Sequence, residues 1–244
     1  MLRLYNQPIA RAILKLKMFS LLKGRKEATM AVITISRQFG SNGDLIARKL
    51  SKKTGYPLID KKVVEQIYEQ FGYTDFQDVY DRNNFWSRFD THHTEMLSLL
   101  QRIFSACGAH GNLLLLGRGG FVTLAGIPNV IHVRVQAPFQ LRVNRVMQTE
   151  GLANLTLAEK IVEEEDRARR QFIEMIGNGK WDDTANYDLV IDTQHIPAEM
   201  AVEWIEQLVQ WNDRAASKIE SPSLQNSDPV ILRALEDVLK KQPI

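Results

Sequence analysis

The 244-residue sequence contains a single cysteine, Cys107, so no disulfide bond can form within the chain. A disulfide-stabilised secreted framework is therefore excluded, and a reducing, cytoplasmic setting is the simpler interpretation. We interpret Cys107 as a small buried hydrophobic residue. The sequence also lacks an uncharged apolar run of roughly 18 residues or more, so it predicts no membrane span.

A strong excess of either charge is absent as well, because the formal net charge is only +2. Residues 1–30 nevertheless hold a concentration of basic residues beside one acid, Glu27. These basic residues are Arg3, Arg11, Lys15, Lys17, Lys23, Arg25 and Lys26. The rest of the chain holds more acids than bases, so a nucleic-acid surface across its body is not expected.

The segment 1–30 is a basic, amphipathic arm whose role stays open. It can make a peripheral membrane contact through residues 1–29, or act as a targeting sequence. The third interpretation is a loosely docked helix, or a translation start upstream of Met30, and this is the one we favour. Each of these interpretations keeps the arm apart from the body of the protein.

A phosphate-loop context begins directly after the arm. The apolar, β-rich run AVITIS at 31–36 predicts a buried parallel strand. The glycine-containing loop RQFGSNG follows, and DLIARKLSKKTG then predicts an amphipathic helix that ends at Gly55. A strand, a glycine loop and a helix in this order are typical of a site in which backbone N–H groups bind phosphate.

Strands and helices alternate through the rest of the chain. An extended piece is predicted at 56–60 and further strands at 112–117, 130–135 and 187–193. Helices are predicted at about 61–71, 91–107, 138–150, 157–176 and 197–212. This alternation predicts a three-layer α/β/α fold with a parallel sheet. The domain boundaries that follow are an arm at 1–30, a nucleotide-binding domain at 31–212, and a polar linker with a terminal helix at 213–244.

The loop departs from the usual G-x-x-x-x-G-K-[ST] pattern. Arg37 stands at the position of the first glycine, Gly43 at that of the lysine, and Asp44 follows it. Arg37 is able to supply positive charge from the other side of the loop. Asp44 either helps to hold Mg²⁺, which prefers oxygen ligands, or caps the following helix, and we favour the cap.

Four blocks of sequence together resemble the cytidylate-kinase-like family, over about residues 31–210. They are ITISRQFGSNGDLIARKLSKKTGYPLIDKKVVEQI, LLLLGRGG, VIHVRVQAPFQLRVNRV and NYDLVIDT, and they occur in the family's order. The resemblance implies a P-loop nucleoside monophosphate kinase fold, with about five parallel strands, a helical monophosphate-binding insertion and a mobile lid. The family itself lacks the lysine, so Gly43 is not peculiar to this chain.

The resemblance also implies roles for individual residues. It assigns the ATP phosphate cradle and the following helix start to Arg37, Gly40, Ser41, Asn42, Gly43, Asp44 and Leu45. It assigns acceptor binding to Asp60, Arg118 and Arg169, and stabilisation of the transferring group to Arg37, Arg142, Arg145, Arg167 and Arg170. Three positions depart from the pattern of this group of enzymes: Asn42 replaces a glycine, Asp44 a basic residue, and Gly119 the acid that follows the Arg118 position in true cytidylate kinases.

Each of these assignments has a structural alternative. The run EEEDRARRQF is equally typical of a solvated helix with ion pairs between its turns. Asp192 either positions Mg²⁺ or caps the turn after its strand, and we favour the cap. Trp181 is interpreted as a packing anchor, with nucleobase stacking as the alternative. His92 and His93 are adjacent and lack a metal-spaced partner, so no ligand role is predicted for them.

The sequence therefore predicts ATP- and Mg²⁺-dependent phosphoryl transfer to a small phosphorylated or hydroxylated acceptor, with CMP as the default. The alternative is a nucleotide-binding regulatory or interaction module that kept the fold and lost the chemistry. The expected partners are a nucleotide and a small acceptor, not nucleic acid. A homodimer is left open.

Overall fold

A computed structural model describes residues 31–73, 91–177, 179–216 and 228–241. The expectations for the arm, and those for much of the 213–227 linker and for the side chains of His92 and His93, lie outside the described residues. No helix in the described ranges is long and apolar enough to cross a membrane.

Five parallel strands form one sheet, as predicted. They are Val32–Arg37 (β1), Leu58–Ile59 (β2), Leu113–Leu116 (β3), Val130–Gln136 (β4) and Leu189–Asp192 (β5). Their order across the sheet is β2-β3-β1-β4-β5, and each neighbouring pair is parallel. The short extended piece predicted at 56–60 becomes β2, an edge strand of two residues that pairs with β3.

Each strand is followed by one or two helices in the described ranges. They are Gly43–Thr54 (α1), Lys61–Gln70 (α2), Thr91–His110 (α3), Gly120–Thr123 (α4), Phe139–Glu150 (α5), Leu155–Ile176 (α6), Ala198–Ala216 (α7) and Pro229–Leu239 (α8). A short 3₁₀ turn at Thr184–Asn186 precedes β5. The sequence did not predict α4, which is a single turn at the end of the LGRGG loop.

Both faces of the sheet are covered, which confirms the three-layer architecture. On one face, Ile33 and Ile35 of β1 pack in a core with Ile46 of α1 and Ile205 of α7. On the other face, Val32 packs in a second core with residues of α2, α3 and α8. The strands are therefore apolar on both sides, as buried parallel strands are.

The connections place a topological switch point at the centre of the sheet. The chain leaves β1 towards β2 on one side and leaves β4 towards β5 on the other. Connections that diverge in this way leave a crevice at the carboxyl ends of the two strands, where open α/β proteins bind ligands. The loop after Arg37 lies at this point.

Candidate phosphate-binding site

Two glycines of the loop are required by close contacts. Gly40 has φ +76°, and a Cβ there would lie 2.8 Å from the backbone oxygen of Arg142. A Cβ on Gly43 would lie 2.4 Å from the Cβ of Arg37. Glycine at the lysine position therefore makes room for the stem of Arg37, which crosses the loop at this point.

Arg37 and Asp44 form a two-pronged ion pair across the loop. The distances are 3.1 Å from Nη2 of Arg37 to Oδ1 of Asp44, and 3.4 Å from Nε to Oδ2. Burial opposes ionisation of Asp44, but the charge and hydrogen bonds of Arg37 and the charges of Arg169 and Arg48 outweigh it and lower the pKa of this carboxyl. Asp44 is thus an anion held beside the arginine expected to bind phosphate.

The cap of α1 is Asn42 rather than Asp44, so the capping interpretation of Asp44 is wrong. Asn42 has φ 65° and makes no side-chain cap bond, while the side chain of Asp44 turns to Arg37. Asparagine tolerates this left-handed conformation better than most residues with a side chain, which explains why it can replace the family's glycine. The first N–H groups of α1, from Gly43 onward, have no acceptor within the helix.

Arg145, a further predicted residue, supports the loop through Thr193. Arg145 donates to Oγ1 and to the backbone oxygen of Thr193, at 2.9 and 2.8 Å. Thr193 in turn donates its hydroxyl to the backbone oxygen of the fully buried Ser41, at 2.8 Å. Burial lowers the pKa of Arg145 against the opposing charge of Asp192. Asp192 accepts from the N–H of Gln194 at 2.8 Å, which is the turn-capping bond that we favoured.

Arg142 is buried at the side of the loop and donates three hydrogen bonds there. Its Nη1 contacts Oδ2 of Asp166 at 2.7 Å and the backbone oxygen of Phe39 at 3.0 Å. Its Nε donates to the backbone oxygen of Ala137 at 3.0 Å. The guanidinium therefore holds α5, α6 and the loop together.

A cavity of about 270 Å³ opens beside the loop, between the carboxyl ends of β1 and β3 and helix α6. Basic side chains line it from four elements: Arg37, Lys61, Arg118 and Arg169. One acid, Glu165, is among the lining residues, and aromatic rings complete the wall: Phe121, Phe172 and Trp181. A concave site with this charge excess favours an anionic ligand.

Arg169 and Arg118 both contact aromatic rings at the cavity. Arg169 lies 5.2 Å from the centroid of the Phe39 ring, and its Nη1 donates to the Glu165 carboxylate at 2.9 Å. Burial, followed by the like charge of Arg37, lowers the pKa of Arg169. Arg118 has φ 53° and lies 5.8 Å from the Phe172 ring. Arg169 thus shares the cavity with the like charge of Arg37, and a perturbed pKa in a cleft marks a candidate functional site.

Asp60, Arg167 and Arg170 are among the predicted residues that do not line this cavity. Asp60 caps α2 by accepting from the N–H of Val63 at 3.1 Å, and it lines a separate groove between α2 and α8. Arg167 and Arg170 face a surface groove on the other side of α6. The structure thus brings Arg37, Arg118 and Arg169 together and keeps these three apart from them.

Sequence reasoning missed Lys61 and Asp166. Lys61 follows the cap of α2 and lines the cavity, while its Nζ lies 3.6 Å from the carboxylate of Glu65. Asp166 is only 8% exposed although it stands in the charged run EEEDRARRQF. A helical pattern signals it, since Val162, Asp166 and Ile173 are buried along one face of α6.

Trp181 is a packing anchor. It is 3% exposed, and its Nε1 donates to the hydroxyl of Ser36 at 2.9 Å. The guanidinium carbon of the buried Arg134 lies 4.7 Å from the ring centroid. Asp182 accepts from Arg134 at 2.7 Å and from Arg170 at 3.0 Å, so this network ties α6 to the sheet.

The described ranges contain no cluster of three or more His, Cys, Asp or Glu side chains that could hold a metal ion. Asp44 alone at the loop offers a partly exposed carboxylate, with 43% of its side-chain surface accessible. Mg²⁺ commonly binds through one or two carboxylates together with phosphate oxygens and water. The donor chemistry of Asp44 therefore fits a cation that arrives with a phosphate ligand.

Comparisons with known proteins agree with this architecture. Residues 32–195, about two thirds of the chain, match the model of the cytidylate kinase-like family. The crystal structure of an uncharacterised protein from Eubacterium ventriosum is 22% identical, with a TM-score of 0.58 over 74% of this chain and 98% of that one. This likeness supports the fold.

Two further likenesses are weaker. Shikimate kinase from Acinetobacter baumannii, solved with shikimate, is 17% identical over 75% of this chain and 95% of that one, with a TM-score of 0.45. Uronate isomerase from Corynebacterium glutamicum is 33% identical over 92 residues, which are 38% of this chain and 18% of that protein. The chain thus spans less than a fifth of this curated relative.

Proposed function

The chain belongs to the cytidylate kinase-like family, and from that premise we propose that it transfers a phosphoryl group from ATP to a small phosphorylated acceptor. The observation that carries this proposal is the cavity beside the loop, which Arg37, Lys61, Arg118 and Arg169 line together. Phosphoryl transfer depends almost entirely on positioning and on stabilising negative charge, and fixed cations supply both.

The donor phosphates are proposed to bind at the loop. The N–H groups at the start of α1 point out of the helix end, where anions are favoured. Gly40 and Gly43 allow close approach, and Ser41 and Asn42 complete the bend between them. Because Gly43 replaces the usual lysine, Arg37 is the loop's source of positive charge.

The acceptor is proposed to occupy the cavity, with its phosphate against Arg118 and Arg169. Both side chains approach the cavity from outside the loop, one from the β3–α4 connection and one from α6. Lys61 adds a third cation from the start of α2. CMP or a related nucleoside monophosphate stays the default acceptor, and Phe121 and Phe172 offer apolar surface for its base or sugar.

Mg²⁺ is proposed to bind with the nucleotide, through Asp44. When bound, the cation offsets charge on the phosphate oxygens. The chain's own residues do the remaining work. Arg37 would turn from Asp44 to the phosphates, while Arg142 and Arg145 hold the loop in place through their contacts with Phe39 and Thr193.

The alternative is a nucleotide-binding module without turnover, and one observation favours it. Arg37 is already paired with Asp44, so the charges of the loop offset each other before any ligand arrives. A protein of this kind would bind ATP tightly and release no ADP.

Arg37→Ala tests the proposal. Purified protein is incubated with ATP, Mg²⁺ and a panel of nucleoside monophosphates and small phosphorylated acceptors, and ADP formation is followed. We expect at least one acceptor to raise the rate, and we expect the variant to lose about 100-fold of that rate, as when a charge-stabilising group is removed. Glu206→Gln, which alters a surface ion pair with Lys53, is the matched control. Equal rates in the two variants would reject the catalytic proposal, and ATP binding without turnover would favour the module.

A further inference from the structure

Asp166 is a buried carboxylate in a run of charged, mostly accessible residues. It lies on α6 and is 8% exposed, whereas Glu163 and Arg167 nearby are exposed. A buried carboxylate is costly unless hydrogen bonds and opposite charge satisfy it. The contacts of Asp166 therefore indicate what its burial achieves.

Both carboxylate oxygens of Asp166 accept hydrogen bonds, one from Phe39 and one from Arg142, which itself contacts Phe39. Oδ1 accepts from the backbone N–H of Phe39 at 2.8 Å, and Oδ2 accepts from Nη1 of Arg142 at 2.7 Å. The same Nη1 donates to the backbone oxygen of Phe39 at 3.0 Å. One buried ion pair thus holds the N–H and the carbonyl of a single residue of the phosphate loop.

The side chain of Phe39 is also held by α6. Its ring packs beside a small core formed by Val143 of α5 and Val162 of α6. The Arg169 guanidinium carbon lies 5.2 Å from the ring centroid. Positions 166 and 169 are one turn apart on α6, so a single helical turn contacts both the backbone and the ring of Phe39.

This arrangement joins the loop to the cavity. Phe39 immediately precedes Gly40 in the loop, and Arg169 lines the cavity. If α6 moved away, the Phe39 N–H would lose its acceptor and the buried Arg142 would lose its only carboxylate contact among the described residues. Breaking a buried pair in this way is strongly unfavourable, so the loop and α6 keep their positions together.

We propose that Asp166 is a positioning residue that couples the two sites, so that a nucleotide on the loop and an anion in the cavity each strengthen binding of the other. The identity of the two ligands rests on the function proposed above. A ligand on the loop fixes Phe39, Phe39 fixes α6 through Asp166, and α6 then presents Arg169 to the cavity. Binding free energies are reciprocal, so the effect has the same size in both directions.

The experiment is calorimetry on the full chain. Mg²⁺ and ATP are titrated with and without inorganic phosphate as the probe of the cavity. We expect phosphate to tighten ATP binding at least about fivefold in the wild type, at the lower end of usual coupling. Asp166→Asn should reduce this factor to near one, and Arg118→Ala should abolish the phosphate effect.

Controls separate coupling from simple loss of folding. Glu163→Gln alters an exposed acid of the same helix and should keep the wild-type factor. If a thermal melt shows that Asp166→Asn is not folded, the double variant Asp166→Leu/Arg142→Met is used instead. It replaces the ion pair with apolar groups and should fold without coupling between the two sites. The role of Asp166 is overturned if phosphate tightens ATP binding in a folded Asp166 variant as much as in the wild type. It is also overturned if phosphate does not tighten ATP binding in the wild type. A wild type that binds no ATP overturns the proposed function as well.

Discussion

Asp44→Asn is the change that most directly tests how the loop handles charge. In the wild type, the Asp44 carboxylate occupies both Nη2 and Nε of Arg37. A phosphate bound by Arg37, as proposed, would have to displace this carboxylate and then lie beside it. Asparagine keeps the shape of the side chain and removes the negative charge, so Arg37 becomes available to the ligand.

The size of the effect follows from the exposure of the pair. The Arg37 side chain is 17% exposed and that of Asp44 is 43% exposed, so solvent screens their attraction. We take about 1 kcal/mol for such a pair, the upper end for exposed ion pairs. Releasing it should tighten binding of metal-free ATP by roughly fivefold, since about 1.4 kcal/mol corresponds to tenfold.

With Mg²⁺ present, we expect Asp44→Asn to have the opposite effect on the affinity for ATP. If Asp44 holds the cation, Asp44→Asn should weaken binding of the Mg²⁺–ATP complex and lower any turnover. The assay is calorimetric titration of ATP in EDTA and in Mg²⁺, with Glu206→Gln as the control on a remote ion pair. Metal-free ATP that binds the variant no better than the wild type would refute the competition between Asp44 and phosphate.

The pKa of Asp44 predicts the pH dependence of the same pair. Its folded pKa lies below the ordinary value of 3.8. The ion pair therefore stabilises the fold above that value and loses its contribution as the pH falls through the lowered pKa. Urea unfolding measured at neutral pH and then at a series of pH values below 3.8 should show this loss in the wild type, and Asp44→Asn should show less of it.

The remaining predictions concern the fit of the loop and the network beneath it. Gly43→Ala should weaken ATP binding about tenfold by calorimetry. The added Cβ would lie 2.4 Å from the Cβ of Arg37, so the arginine would have to move. An unchanged affinity would show that the loop tolerates the shift. Trp181→Phe should lower the free energy of unfolding in urea by about 1–3 kcal/mol, because the buried hydroxyl of Ser36 loses the donor that lies 2.9 Å away. The hydroxyl of Tyr187 also donates to Ser36. A change smaller than the error of the measurement would mean that Tyr187 compensates.

Local sequence patterns predicted the parts of the site that adjacent residues create. A buried strand before a glycine loop fixed Arg37 at a strand end, and LLLLGRGG did the same for Arg118. The pairing of Arg37 with Asp44 was not predictable in this way. It depends on the left-handed conformation of Asn42 and on the absence of a Cβ at Gly43, which together fold the loop back on itself.

Contacts between distant segments were beyond the reach of pattern analysis. Asp166 meets Phe39 across 127 positions, and Trp181 meets Ser36 across 145. In the sequence, Asp166 is one charge in a run that is otherwise typical of a solvated helix. Lys61 enters the cavity because α2 begins beside the ends of β1 and β3, and a prediction of its place required the strand order.

Asp44 and Asp166, the two acids that contact the loop, differ in exposure. The difference distinguishes an ion pair that a ligand can replace from one that supports the loop. Arg142 and Asp166 have side chains that are 6% and 12% exposed, so exchanging either partner would leave a buried charge unpaired. The Arg37–Asp44 pair is exposed enough for a phosphate and a cation to replace its partners at low cost. Arg142 and Arg145 are thus engaged in holding the loop, while Arg37 is free to exchange Asp44 for a ligand. The replacement of a base by Asp44 is therefore compatible with phosphoryl transfer, provided that a cation takes up the carboxylate that Arg37 releases.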